Sequence, residues 1–167
     1  DTIKEFVKLT HEKYKQAAGD KFSTVIPAIF IDEPQFTRKL ALDTAKSDKA
    51  GILPWSMDLE ETFFKACGCR ISDRIPELFL EKRDSVSTVR YNYHNHTAER
   101  FAEALADVCG DWCEQNGIML TGHMADEDTL RGQNNYSGDA MRGFRSFQMP
   151  GMDMLCNKVF FTTAKQA

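Results

Sequence analysis

The chain has 167 residues, 42% of them apolar and 28% charged, with a formal net charge of −4. That length and apolar share can build one domain of ordinary size, while the mixed, slightly acidic charge excludes the basic surface of a nucleic-acid binder. No run reaches the roughly 18 apolar residues of a membrane span, so neither nucleic acid nor membrane is expected as a partner.

Asp1-Thr2-Ile3 opens inside a helical pattern without an initiator Met or a signal peptide, and Lys165-Gln166-Ala167 closes as another helix begins. Residues 1–167 therefore read as a segment of a longer protein, truncated at both ends. The cysteines Cys67, Cys69, Cys109, Cys113 and Cys156 form an odd set without disulfide or zinc-site spacing. Reduced thiols point to a cytoplasmic setting. Cys109 and Cys113 stand four apart beside Leu105, Val108 and Trp112 and read as small core residues.

Ile3, Phe6, Val7, Thr10 and Tyr14 recur at helical spacing over 2–18, and Gly19-Asp20 end that helix. Val25 to Ile31 is a nearly unbroken apolar run rich in β-branched residues, which predicts a strand buried on both faces. Pro27 interrupts its pairing near the start, and Asp32-Glu33-Pro34 follows its end. A polar excursion covers 37–51, leading to Pro54-Trp55. Helices are predicted over 58–67, capped by Ser56 or Asp58 and stopped by Gly68, and over 74–82 with Pro76 in the first turn.

Residues 85–96 are read as a helix running into the clearest one, 97–115, whose apolar stripe is Phe101, Leu105, Val108, Cys109 and Trp112. Ile118 to Thr121 predicts a second buried strand ending at Gly122-His123. A polar loop over 124–137, a helix over 138–147 and a third strand over 150–155 complete the pattern. Strands alternating with helices imply an α/β fold with parallel pairing. Such a pattern suits a small doubly wound domain or part of a (β/α)8 TIM barrel, which needs about 250 residues when complete. The cut ends favour the partial TIM barrel, with about three parallel strands and surrounding helices.

In parallel α/β folds the functional groups gather at the carboxyl ends of the strands. Three polar clusters stand there: Asp32-Glu33, His123 with Glu127, and Asp153. Glu33, set against the apolar walls of a buried strand, is expected to have a raised pKa and to donate a proton to a leaving oxygen. Otherwise Asp32 or Glu33 merely caps the turn at Pro34. His123 either binds a sugar hydroxyl or bonds a backbone carbonyl. Glu127 binds substrate or sits solvated in Asp126-Glu127-Asp128, a run that lacks the DxDxDG spacing of a calcium loop. Trp55 is a sugar-stacking platform or a core residue. Asn134 and Asn135 reach ligand hydroxyls or make turns. Arg90, Tyr91, Tyr93, His94 and His96 line a pocket or decorate a helix. No P-loop, GxGxxG or GxSxG is present, which argues against nucleotide binding and the usual serine hydrolases.

Ile29-Phe30-Ile31-Asp32-Glu33-Pro34-Gln35 resembles the strand and catalytic loop of a family of large bacterial glycoside hydrolases, the α-L-rhamnosidase-like, sugar-binding-domain-containing barrel enzymes. Leu53-Pro54-Trp55-Ser56, Ile75-Pro76-Glu77-Leu78-Phe79, Val89-Arg90-Tyr91, Trp112 to Ile118, Leu120-Thr121-Gly122-His123, Gly138-Asp139-Ala140-Met141, Met149 to Leu155 and Lys165-Gln166-Ala167 extend the likeness in the same order. The resemblance implies a central catalytic barrel with flanking domains, Glu33 as general acid/base, and His123 and Glu127 in the sugar pocket. It also implies that the second catalytic carboxylate comes from a strand beyond Ala167. Glu33 with Glu127 is the alternative pair, of inverting type.

The function expected is hydrolysis of O-glycosyl bonds in carbohydrate metabolism, with a carbohydrate or glycoside as substrate and no cofactor or metal. Glu33 and Glu127 are the expected catalytic residues, and Asp32, Trp55, His123, Asn134 and Asp153 the substrate-binding ones. A non-catalytic carbohydrate-binding or scaffold domain would instead leave Glu33 and Trp55 exposed. A metal-dependent hydrolase would bring His94, His96 or His123 within ligand distance of carboxylates.

Overall fold

The computed structural model describes residues 2–40, 42, 46, 48–80, 85–154 and 161–167. Strands β1 (Ala28–Asp32), β2 (Met119–His123) and β3 (Met149–Pro150) form one sheet in the order β1-β2-β3, both pairs parallel. Helices α1 (Thr2–Leu9) and α2 (His11–Ala18) precede β1. The crossover from β1 to β2 carries α3 (Leu59–Cys67), α4 (Ile75–Phe79), α5 (Thr88–Phe101) and α6 (Val108–Gln115). That from β2 to β3 carries α7 (Leu130–Tyr136) and α8 (Ala140–Phe144), and α9 (Phe161–Gln166) follows β3. The architecture is thus a mixed α/β one, a parallel sheet surrounded by helices. No helix among the described residues is long and apolar enough to cross a membrane.

Several predicted boundaries shift for local reasons. The helix expected over 2–18 breaks at Thr10, whose hydroxyl donates to the Phe6 carbonyl at 2.7 Å and lies 2.8 Å from His11 Nδ1. β1 begins at Ala28 rather than Val25, because the amides of Val25 and Ile26 turn back to the Lys21 carbonyl and Pro27 has no N–H. Gly68, at φ 72°, ends α3 where expected, its amide bonded to the Phe64 carbonyl. The helix over 74–82 shortens to α4, preceded by a 3-10 turn at Ser72–Arg74. Helix 85–115 starts at Thr88, with Ser87 Oγ accepting the Arg90 amide at 3.2 Å. It runs on to Gln115 through a π-helical stretch, Ala102–Asp107.

The polar loop expected over 124–137 instead folds α7, capped by Thr129 Oγ1 accepting the Gly132 amide at 2.9 Å. β3 is only Met149–Pro150, not 150–155; Gly151 adds one bond, its amide donating to the Gly122 carbonyl at 2.9 Å. Leu155 and Cys156 lie outside the described residues.

Two apolar clusters hold these elements. Beneath the sheet, Val7, Phe22, Cys109, Trp112, Cys113, Leu120, Met124, Phe144 and Phe147 are buried together. Burial of each large apolar side chain contributes about 1.5–3 kcal/mol. The second cluster, Leu59, Phe63, Ile71, Leu78, Val89 and Tyr93, joins α3, α4 and α5. Tyr93, fully buried, donates its hydroxyl to the Pro54 carbonyl at 2.6 Å, and burial pushes its phenol well above the usual tyrosine range.

β1 and β2 approach so closely at Gly122, at φ 134°, that a Cβ there would overlap the Ile31 carbonyl oxygen. The outer edge of β1 pairs with no further strand among the described residues, and Phe30 on it is 60% exposed. Burial of β1 on both faces, expected from its apolar run, is therefore not found.

Candidate functional site

Register positions the site. Asp32 pairs with His123 across β1 and β2, and Gly122 pairs with Pro150 across β2 and β3. The three chains therefore leave the sheet on the same side. Just past β1, Glu33 takes φ 44°, a left-handed conformation uncommon for a residue with a Cβ, which turns the chain sharply at the strand end. One ring nitrogen of His123 and one carboxylate oxygen each of Glu33 and Asp153 lie within 4.8 Å of one another.

His123 is nearly buried. Its Nε2 faces Asp32 Oδ1 at 3.2 Å, its ring meets Phe30 edge-on at 5.8 Å between centroids, and its Nδ1 has no hydrogen-bond partner among the described residues. Asp32 itself has 79% of its side chain exposed.

Glu127 is the buried carboxylate of the site. Its Oε2 accepts the Met124 amide at 2.9 Å and its Oε1 accepts the Asp153 amide at 3.0 Å. Its backbone carbonyl accepts Gln133 Nε2 at 2.8 Å. Burial raises the Glu127 pKa, opposed by these two amide donors and by the nearby His123. The solvated acidic run expected around it is thus broken by one inward residue.

Glu33, Gln35, Met124, Ala125, Asp126, Glu127, Asp128, Tyr136 and Asp153 line an open cavity of about 350 Å³. Five carboxylates and no Lys or Arg line it, so its field favours cations over anions.

No family model, curated protein or solved structure matches the chain.

The geometry brings together Asp32, Glu33, His123, Glu127 and Asp153 and leaves out two expected residues. Trp55 is 52% exposed in the segment before α3 and does not line the cavity. Asn134 turns its side-chain carbonyl to Lys39 Nζ at 3.3 Å instead of to the cavity. The apolar walls expected around Glu33 are also absent, because that residue is exposed and the desolvated carboxyl is Glu127. His94 and His96 join no carboxylate cluster of ligand dimensions among the described residues; Tyr93 is core, and Tyr91 is 65% exposed.

Gln35, Tyr136, Asp126 and Asp128 were not singled out as lining residues. Gln35 could have been found, being two residues past Glu33 on the same strand end. Tyr136 gave no signal, since the helix that presents it read as loop.

Proposed function

We propose that the chain carries part of the active-site face of a glycoside hydrolase built on a (β/α)8 barrel, as its resemblance to the rhamnosidase-like enzymes implies. One observation supports this most: Glu33, His123 and Asp153, on the ends of three successive parallel strands, converge within 4.8 Å beside an acidic cavity. Strands added in sequence order, with the outer edge of β1 open to another, fit a barrel sector.

In this reading Glu33 is the general acid/base, reaching the glycosidic oxygen from the exposed side. His123, held by Asp32, orients Glu33 or a sugar hydroxyl. Glu127 sets the position of Asp153 through its oxygens, which accept the Met124 and Asp153 amides, and it stays a candidate partner base, since each oxygen keeps a second lone pair. As the resemblance implies, the other candidate for the second catalytic carboxylate comes from a later strand.

A panel of aryl glycosides offered to the chain, to a longer protein that contains it, and to that protein carrying Glu33→Gln tests this. Loss of the acid should cost about 10²–10⁴-fold in turnover of substrates with poor leaving groups, and less with activated ones. Full activity of Glu33→Gln on poor leaving groups would leave Glu33 without that role. Uniform inactivity with retained glycan binding would favour the binding-module reading, which the exposure of Glu33 and Trp55 supports.

The same cluster supports a second reading, a hydrolase that works through a divalent cation. Two carboxylate oxygens and one imidazole nitrogen within 4.8 Å match the span of donors around a single ion. Metal analysis of purified protein, with Asp153→Asn as the control, separates the two readings.

A further inference from the structure

Lys39 lies in the segment that leaves β1 through Glu33 and Gln35, and it is only 4% exposed. Its Nζ is 3.1 Å from His94 Nδ1 on α5 and 3.3 Å from Asn134 Oδ1 on α7, and 4.6 Å above the centroid of the Phe36 ring. No carboxylate pairs with it among the described residues. Main-chain bonds fasten the same segment: the Phe36 amide donates to the Tyr136 carbonyl and the Lys39 amide to the Asn135 carbonyl, each at 3.0 Å. Arg38 stacks on Tyr136 at 5.1 Å. Tyr136, Gln35 and Glu33 all line the acidic cavity, so this fastening fixes one wall of the site.

We propose that Lys39 is a positioning residue whose protonation unlatches the segment carrying Glu33 and Gln35 from α5 and α7. An ammonium enclosed by an imidazole, an amide and a ring keeps neither its hydration nor a counter-charge, whereas the neutral amine fits the same place at little cost. The groups facing it from the packed elements are His94 of α5 and Asn134 of α7, with Arg90 of α5 acting on His94. Burial draws the Lys39 amine down to about 7, and burial together with the charges of Lys39 and Arg90 draws His94 down to about 4. His94 therefore stays neutral over the range in which Lys39 titrates, and its Nδ1 remains an acceptor.

Released into water, Lys39 regains its ordinary value near 10.5, so the open form binds the proton more tightly than the latched one. Acid therefore favours opening. The effect grows as pH falls from 10.5 toward 7 and levels off below 7. The inference needs no turnover and is independent of the glycosidase reading.

Amide exchange at positions 36 and 39, corrected for the intrinsic pH dependence of exchange, reads the latch directly. Between about pH 8.5 and about pH 5.5 protection should fall about thirtyfold in the wild type, most of it above pH 7. In Lys39→Met the protection should stay flat and, at the acid end, exceed that of the wild type. A flat wild-type profile, or the same step in Lys39→Met, would overturn the proposal. If Lys39→Met fails to fold, a ζ-nitrogen NMR titration of the wild type decides: a midpoint near 7 supports the latch, and one near 10.5 sinks it.

Discussion

Glu127 Oε1 accepts the amide of Asp153, twenty-six residues further along the chain, at 3.0 Å. Since Oε2 of the same carboxylate takes the Met124 amide, one buried side chain spans the exits of β2 and β3 and fixes their separation at the cavity. Replacing Glu127 by Gln puts an NH2 against one of the two amide donors. The expected loss is about 1–3 kcal/mol, measured by urea denaturation.

The same residue makes a pH prediction. Its carboxyl titrates above its ordinary 4.5 when folded, so it contributes stability that is fully present below that value and is lost as pH rises through the folded pKa. The wild-type minus Glu127→Gln stability difference should therefore shift against the wild type as pH climbs above 4.5. A pH-independent difference would count against burial as the dominant effect.

Gly122→Ala forces a side chain into the φ 134° conformation and against the Ile31 carbonyl. Backbone strain alone costs about 1–3 kcal/mol, and displacing β1 from β2 adds to it. Chemical denaturation should show at least that loss, together with a disturbed His123 resonance.

Thiol labelling should follow depth. Burial pushes Cys109 to about 11 and Cys113 to about 12, and both side chains are fully enclosed. Iodoacetamide at about pH 8 should spare both until the chain unfolds, while half-buried Cys67 and Cys69 react ahead of them. Peptide mapping of the native protein checks the order.

An open strand edge flanked by apolar groups invites pairing with another chain. The groove beside β1, about 460 Å³ and lined by Ile3, Phe6, Tyr14, Phe30 and Leu105 among others, supplies such groups. The isolated chain should self-associate with rising concentration, and Phe30→Lys should weaken that in sedimentation velocity.

The apolar run through Ile31 and the stripe from Phe101 to Trp112 made β1 and the long helix readable, because side-chain period is a local property. The convergence of Glu33, His123 and Asp153 was readable too, once the strands were taken as parallel. What could not be read was depth. Glu33 was expected in an apolar wall, but burial depends on which neighbours cover a strand end, and β1 is an edge among the described residues. Glu127 gave the opposite error: its acidic neighbours suggested solvent, while the amides of Met124 and Asp153 hold it inside. Lys39, within a polar stretch, gave no hint that it is enclosed by His94, Asn134 and Phe36.

The π-helical stretch at Ala102–Asp107 sits midway along a helix that serves two cores. Upstream, Val89 and Tyr93 face one cluster; downstream, Cys109, Trp112 and Cys113 face the other. One extra residue in the winding sets the angular offset between those faces, much as a coupling joins two misaligned shafts. Rewinding that stretch as ordinary α-helix with every residue kept would re-clock the downstream half by about 100°, turning Cys109 and Trp112 away from the sheet while leaving every helical hydrogen bond available. The chain could then seat either core, but not both at once.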